Sequence, residues 1–347
     1  MDAKPPLQRK RLRGFLLVLL ALFLPTRLLG AADENMKQAG VPSRLDFYGE
    51  IRIGNEQKSK VAYAFIGLTG NSSPYASGLW TDYSGKFRFR NLEPGFYTLV
   101  AEVNRRSEQR ITLEILPTLA DAHGRITKTI LLNPNSFHSL RKKPQIVSWM
   151  ELSIPAKARN EYAQADNALA KGQLEVAIQH FQKAVQLAPQ FISALNRLGT
   201  IYYFQKKYEM AEDMFRQALA KDPKSYEPLV NLGETLLVGG KPEEALTYTL
   251  RASQAQTNDA SANALVGLNY VALHEDDQAV GYLIRAKEID PMHYSQPQLV
   301  LAGIYERKSQ SSSALHELEE FVRLHPASSE TPRILKQMVQ LRRETGE

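Results

Sequence analysis

Two periodicities divide the chain. From Ala156 onward, apolar and small residues recur at helical spacing; between Arg44 and Leu132 they alternate with polar residues. The clearest helical stretch is residues 192–223. It holds Leu195, Leu198, Gly199 and Tyr202, then Ala211, Phe215, Ala218 and Pro223. The spacing predicts two amphipathic helices joined by a tight turn near Lys206-Lys207. Gly199 and Ala211 let the two backbones approach closely, with Leu198, Tyr202 and Phe215 filling the space around them. Pro223 disfavours helical backbone at Asp222 and stops the second helix there. One hairpin cannot bury its own apolar face, so it requires neighbours.

The pattern recurs at 34 residues. Gly199 has counterparts at Ala165, Gly233 and Gly267. Ala211 is matched by Ala177, Ala245 and Ala279, and Ala218 by Ala184, Ala252 and Ala286. Pro189 and Pro291 match Pro223, with Thr257 as an exception. A fifth unit fits with one extra residue, through Ala302, Tyr305, Ala314, Leu318 and Pro326. A fixed period of this length signals a helical-hairpin solenoid. The spacing and residue types resemble the tetratricopeptide repeat (TPR) family over residues 156–326. Departures are Thr249 at an aromatic position, Thr257 for proline, and the insertion in the fifth unit. After Pro326, Thr331 is expected to cap a helix starting at Pro332. Ile334, Leu335, Met338 and Val339 would form its apolar stripe, closing the array over residues 327–347.

The alternating region predicts strands through Phe47, Ile51 and Ile53, over Val61–Ile66, at Phe87 and Phe89, and over 96–103, 110–116 and 126–132. Turn signals separate them: Asn71-Ser72-Ser73-Pro74, Asp82-Tyr83-Ser84-Gly85 and Glu93-Pro94-Gly95. A small antiparallel sandwich over residues 44–133 follows. One run is more specific, in the order T-D-x-x-G-x-F-x-F-x-x-L-x-P-G-x-Y-x-L from Thr81 to Leu99. Asp82 is expected to bond back to the turn backbone, and Gly85 to take a positive φ. This run, with Gly49 and Val61, resembles the carboxypeptidase regulatory-like domain, a transthyretin-like sandwich grouped with carbohydrate-binding-like folds. The resemblance implies a non-catalytic module. The expected fold class is thus multidomain α and β: a small antiparallel β-sandwich, a linker over 134–155, and an α-helical TPR solenoid.

That linker contains Pro134, Pro144, Pro155 and the basic triplet Arg141-Lys142-Lys143, which suits a semi-rigid connector. Ile146, Val147, Trp149 and Leu152 are its candidates for docking on a module.

Charge changes the picture at the start of the chain. The whole chain carries +6, but residues 1–32 hold Lys4, Arg9, Lys10, Arg11, Arg13 and Arg27 against Asp2, which leaves about +1 for the rest. That balance offers no electrostatic case for nucleic acid as a partner. The basic start, the apolar run Phe15–Leu24, Pro25 and the small residues Gly30-Ala31-Ala32 predict a secretory signal peptide over residues 1–32, cleaved before Asp33. The run is short for a membrane anchor, the alternative reading. There is no cysteine, so neither disulfides nor lipidation at a cleavage-site cysteine arises. The expected location is the periplasm or cell envelope, or outside the cell, with no transmembrane segment after cleavage.

No catalytic, metal or cofactor signature emerges. The seven histidines are scattered, and the acidic turn Glu275-Asp276-Asp277 reads as a solvated turn. The candidate binding surface is the groove lined by the first helix of each hairpin. Its expected lining is Tyr162, Asp166 and Leu169; Asn196, Thr200, Tyr203 and Phe204; Val230, Glu234, Leu237 and Val238; and Leu268 with Val271. This mixture suits an amphipathic helix or extended peptide. Arg159 and Asn196 alone do not make a clamp for a partner's terminal carboxylate. The favoured function is a non-enzymatic protein–protein interaction scaffold of the envelope. The alternative is a carbohydrate-binding protein, with Trp80 and Tyr83 beside the Asp82 turn as glycan contacts.

Overall fold

The computed structural model describes residues 44–55, 58–103, 107–133, 138–139 and 153–346. The predicted signal peptide, the basic triplet Arg141–Lys143 and the linker residues Ile146, Val147, Trp149 and Leu152 lie outside the described residues. Among the described residues the chain has a β domain followed by eleven helices, the architecture the periodicities predict. It divides into two compact units, one running to Leu232 and one from Gly233.

The first unit begins with two facing sheets. One is ordered β2 (Ser59–Val61), β1 (Leu45–Gly54), β5 (Lys86–Leu92), with β8 (Arg125–Leu132) on the other side of β1. The second is ordered β4 (Ala76–Trp80), β3 (Ala64–Gly70), β6 (Gly95–Val103), β7 (Ser107–Ile115), β9 (His138–Ser139). Phe47, Ile51, Phe87, Phe89 and Ile130 from the first sheet pack against Ile66, Leu68, Tyr97, Leu99 and Leu113 from the second. All pairings are antiparallel except β1 with β8, which run parallel from Asp46↔Arg125 to Ile53↔Leu132. Alternation reports which face a residue takes and is silent on strand direction. The expected strand Val61–Ile66 is two strands, because the chain leaves β1 after Val61 and joins β6 from Ala64. Strand β4 escapes the pattern, since Ser77 and Gly78 interrupt its apolar residues.

The Asp82 turn forms as its sequence predicts. Asp82 Oδ1 accepts from Ser84 N, Ser84 Oγ and Lys86 N, each at 2.8 Å, and Gly85 has φ +72°. The Lys86 amide is the main cause that holds the Asp82 carboxyl below its ordinary value. The same device recurs unannounced at Asp121, which accepts from His123 N and Arg125 N ahead of Gly124 at φ +72°. Tyr97 Oη donates to Glu93 O at 2.9 Å, tying the Pro94-Gly95 turn to the core.

The helices are α1 (Ala156–Ala170), α2 (Leu174–Leu187), α3 (Ile192–Phe204), α4 (Tyr208–Lys221), α5 (Tyr226–Val238), α6 (Pro242–Ala255), α7 (Ala260–Ala272), α8 (Asp276–Ile289), α9 (Pro297–Arg307), α10 (Ser311–Leu324) and α11 (Thr331–Thr345). They pair as hairpins: α1 with α2, α3 with α4, α7 with α8, α9 with α10. Each hairpin turn places one residue in left-handed backbone: Gly172, Lys206, Gly240, His274 and Ser309, with φ between 57° and 75°. Their spacing repeats the sequence period, including the extra residue in the fifth hairpin. Thr257 also leaves the architecture intact. Gln256 before it is extended (φ −136°, ψ 82°), as Asp222 is before Pro223 (φ −136°, ψ 100°).

Left-handed backbone costs a residue with a Cβ roughly 1–2 kcal/mol, partly offset by the unfolded-chain entropy that glycine adds. Replacing Lys206, His274 and Ser309 together by glycine is therefore expected to stabilise the protein by about 0.5–1 kcal/mol per site. Thermal unfolding reads this; a lower midpoint in the triple variant would count against strain at these turns.

The last helix corrects one expectation. Ile334, Met338 and Leu341 are buried, whereas Leu335 and Val339 are exposed, because only one stripe of α11 meets α10. Thr331 does not cap the helix; its hydroxyl donates to His325 O at 3.0 Å.

Candidate functional site

In the first unit the inner positions of α1, α3 and the start of α5 are joined by polar side chains. Asn231 Nδ2 donates to Asn196 Oδ1 at 2.9 Å and lies 3.5 Å from Thr200 Oγ1. Thr200 Oγ1 donates to Asn196 O at 2.9 Å. One hairpin earlier, Arg197 Nε stands 3.5 Å from Tyr162 Oη and 3.7 Å from Asp166 Oδ1. Burial raises the Asp166 carboxyl above its ordinary value, and Arg197 works in the opposite direction. Tyr162 spends its ring on packing, 5.3 Å from Phe181 and 5.0 Å from Phe191 by centroids. Tyr203 and Phe204 are half-buried and meet at 5.5 Å and 81°, and Tyr203 also meets Tyr208 at 5.7 Å.

Of the groove residues expected here, Asn196 and Thr200 come together, and Tyr162 and Asp166 converge on Arg197. Arg197 and Asn231 were missed. They lie 34 residues apart at one position of the period, each reaching back to the preceding hairpin, and counting at that period is the signal that finds them. With Asp166 and Tyr162 beside it, Arg197 is not a spare cation for a carboxylate. Arg159 is engaged too, donating to Ile154 O at 2.9 Å.

The second unit treats its expected groove residues differently. Leu268 and Val271 are buried, in one cluster with Val300, Leu301 and Ile304 of α9. Leu237 packs against that cluster as well. The expectation that Leu268 and Val271 line an open groove is corrected: an apolar side chain at an inner position is closed over by the next helix when that helix is apolar as well, whereas Leu237 stays half-buried. Glu234 is half-buried, close enough to Tyr294 for its charge to add to the burial that pushes that hydroxyl well above its ordinary value.

Comparison with known proteins agrees with this geometry. Residues 192–225 match the family profile described as tetratricopeptide repeat, and residues 166–206 match one described as TPR repeat. The helical array is built of tetratricopeptide repeats. Among relatives, the chain is 25% identical over 162 residues to the BBSome complex member BBS4 of Bos taurus, covering 47% of this chain and 31% of that protein. It is 26% identical over 137 residues to the protein O-mannosyl-transferase TMTC3 of Homo sapiens, covering 39% of this chain and 15% of that one. The chain thus spans about a third or less of these two relatives. A solved structure of MamA from Desulfovibrio magneticus RS-1 aligns with a TM-score of 0.47 at 19% identity, covering 51% of this chain and 99% of that one.

Outside the inner face of the repeats, the two expected glycan contacts sit at one corner of the β domain. Trp80 stacks on Tyr63 at 5.1 Å and 14°, and Phe65 meets it at 5.6 Å and 65°. Tyr83 also stacks on Tyr63, at 5.9 Å and 19°. Tyr63 was not anticipated, because it lies in the break between β2 and β3. Tyr63 covers one face of Trp80, which stays 43% exposed, and Tyr83 is 96% exposed.

The acidic turn of the fourth repeat is engaged by the fifth. Asp276 accepts from Arg307 at 2.5 and 2.9 Å, and Asp277 pairs with Lys308. A buried His293 beside Ser261 has the distance of a catalytic pair, 3.0 Å from Nε2 to Oγ. Its Nδ1 lies 2.7 Å from Ser295 Oγ and 3.3 Å from the Ser295 amide, so the ring is bonded at both nitrogens. Burial holds the imidazole pKa below its ordinary value.

Proposed function

We propose that this protein is a non-enzymatic scaffold that holds a peptide or helix of a partner protein against the first helices of its N-terminal repeats. The observation that carries this reading is the polar link from Asn231 to Asn196 and Thr200. It holds Asn196 in place while, among the described residues, its Nδ2 donates to no protein acceptor. A half-exposed carboxamide on the same helix as the half-buried Tyr203 and Phe204 suits recognition of a peptide backbone and one apolar anchor. The partner engages uncharged polar and apolar groups there, since Arg197 is already matched by Asp166.

Under this reading the β domain is a carboxypeptidase regulatory-like module, supported by the Asp82 turn and the Tyr97 tie. The protein works after export to the envelope, supported by the basic, apolar and small-residue succession over residues 1–32. N-terminal sequencing of exported material is expected to begin at Asp33.

The test is site-specific photo-crosslinking from Thr200 in cells, with the captured protein identified by mass spectrometry. Tyr203→Ala with Phe204→Ala is then expected to weaken that partner about 30-fold, the loss of roughly 2 kcal/mol of an interface anchor. Leu335→Ser, on the exposed side of α11, serves as the control. Equal affinity of the double variant and the control would remove the groove from the account.

A further inference from the structure

The exposed face of the four-stranded sheet is strongly basic. Along β5 the outward residues are Lys86, Arg88 and Arg90, alternating with the buried Phe87 and Phe89. Register places Arg52 of β1 and Arg125 of β8 on the same face. Five cations there face three carboxylates, Asp46, Glu50 and Asp121; Glu50 is bound to Arg52 at 2.9 Å and Asp121 to Arg125 at 3.2 Å. Tyr48 lies in the middle, its ring centroid 5.4 Å from the Arg88 guanidinium. The opposite sheet differs: Glu102 and Glu114 accompany Arg110 on its outer face. The domain is therefore polarised, which a chain-wide net charge conceals.

One end of the basic face runs into the aromatic corner. Val61 pairs with Arg52, and the Asp82–Gly85 turn packs on Val61 so closely that a Cβ on Gly85 would stand 2.9 Å from Val61 Cγ1. Val61, Tyr63, Trp80 and Tyr83 are 43%, 53%, 43% and 96% exposed. Four exposed apolar side chains at one corner call for a partner phase. The rings of Tyr63, Trp80 and Tyr83 form one stacked cluster rather than separate platforms. They leave edges and hydroxyls exposed, which suit the boundary between water and acyl chains, where tyrosine and tryptophan concentrate.

We propose that this surface docks the β domain on an anionic phospholipid bilayer. Lys86, Arg88 and Arg90 meet the headgroups, and Val61, Tyr63, Trp80 and Tyr83 enter the interface.

The experiment uses the full chain carrying Trp149→Phe, which leaves Trp80 as the one remaining tryptophan of two. Phosphatidylcholine vesicles with and without about one-third phosphatidylglycerol are titrated while Trp80 emission and its quenching by brominated acyl chains are read. The N-terminal segment is the same in every variant, so differences in the Trp80 response belong to the β domain. The anionic vesicles are expected to shift the emission to the blue and permit quenching. Lys86→Gln, Arg88→Gln and Arg90→Gln together are expected to move the midpoint about a hundredfold higher in lipid, at roughly 1 kcal/mol per cation. In the unsubstituted face the response is expected to vanish as salt rises from about 0.05 to 1 M, a readout independent of how the triple variant folds. Trp80 emission indifferent to anionic vesicles, or a response that survives 1 M salt, overturns the proposal. A Trp80 response to an acidic polysaccharide or single-stranded DNA, with none to vesicles, overturns it equally and assigns the face to a soluble polyanion.

Discussion

Phe215→Ala is expected to cost about 3–5 kcal/mol, and Gly199→Val nearly as much, yet the two together should cost less than their sum. Phe215 is 1% exposed and fills the space between α3 and α4. A Cβ built on Gly199 would stand 2.5–2.8 Å from three atoms of its ring. Real Cβ contacts do not come that close, and a ring buried on a helix cannot withdraw. Valine therefore pushes the two helices apart, and alanine at 215 leaves a cavity. In the double variant the valine methyls occupy part of that cavity. Urea denaturation followed by circular dichroism reads all three. Strict additivity would show that these side chains do not share one space.

Lys287→Ala is expected to cost about 3–5 kcal/mol near neutral pH, because it strips a buried carboxylate of its cation. Lys287 Nζ donates to both oxygens of Glu317, at 2.8 and 2.9 Å, and to Glu320 at 2.9 Å. The Lys287 and Glu317 side chains are 15% and 6% exposed. Burial already raises the Glu317 carboxyl above its ordinary value despite the lysine. Without Lys287 the folded-state pKa rises further. A carboxyl with a raised folded pKa stabilises below its unfolded pKa, and that contribution is lost as pH rises through the folded value. The deficit of the variant should thus be largest at pH 8 and shrink toward pH 5. Adding Glu317→Gln should recover much of it at pH 8. Thermal unfolding of wild type and both variants across that range checks the sign; a deficit that grows on acidification would refute it.

Both effects rest on residues whose roles differ in legibility. The Gly199–Phe215 contact could be read from the chain, because small and large residues recur in register at a local period. The Lys287–Glu317 pair could not: it joins α8 to α10, 30 residues apart, and no periodic rule couples those two positions. The Asp82 turn was legible for the same reason as the hairpin, since all its hydrogen bonds fall within four residues.

By itself the sequence determined the β domain, the register of the repeats, the turn near Lys206-Lys207 and the small and large residues that pack inside that hairpin. These follow from interactions within a few turns of chain, which residue order encodes directly. Only the tertiary structure decided the parallel course of β8, the split of the strand at Ala62, and the fate of each inner position. Thr200 and Leu268 stand at one position of the period on first helices, yet one lies 3.5 Å from Asn231 Nδ2 and is half-exposed, and the other is closed beneath Val300, Leu301 and Ile304. What differs is the residue arriving from the neighbouring helix. That partner is chosen by packing in space, so an inner residue's exposure belongs to the pair and cannot be read from the position alone.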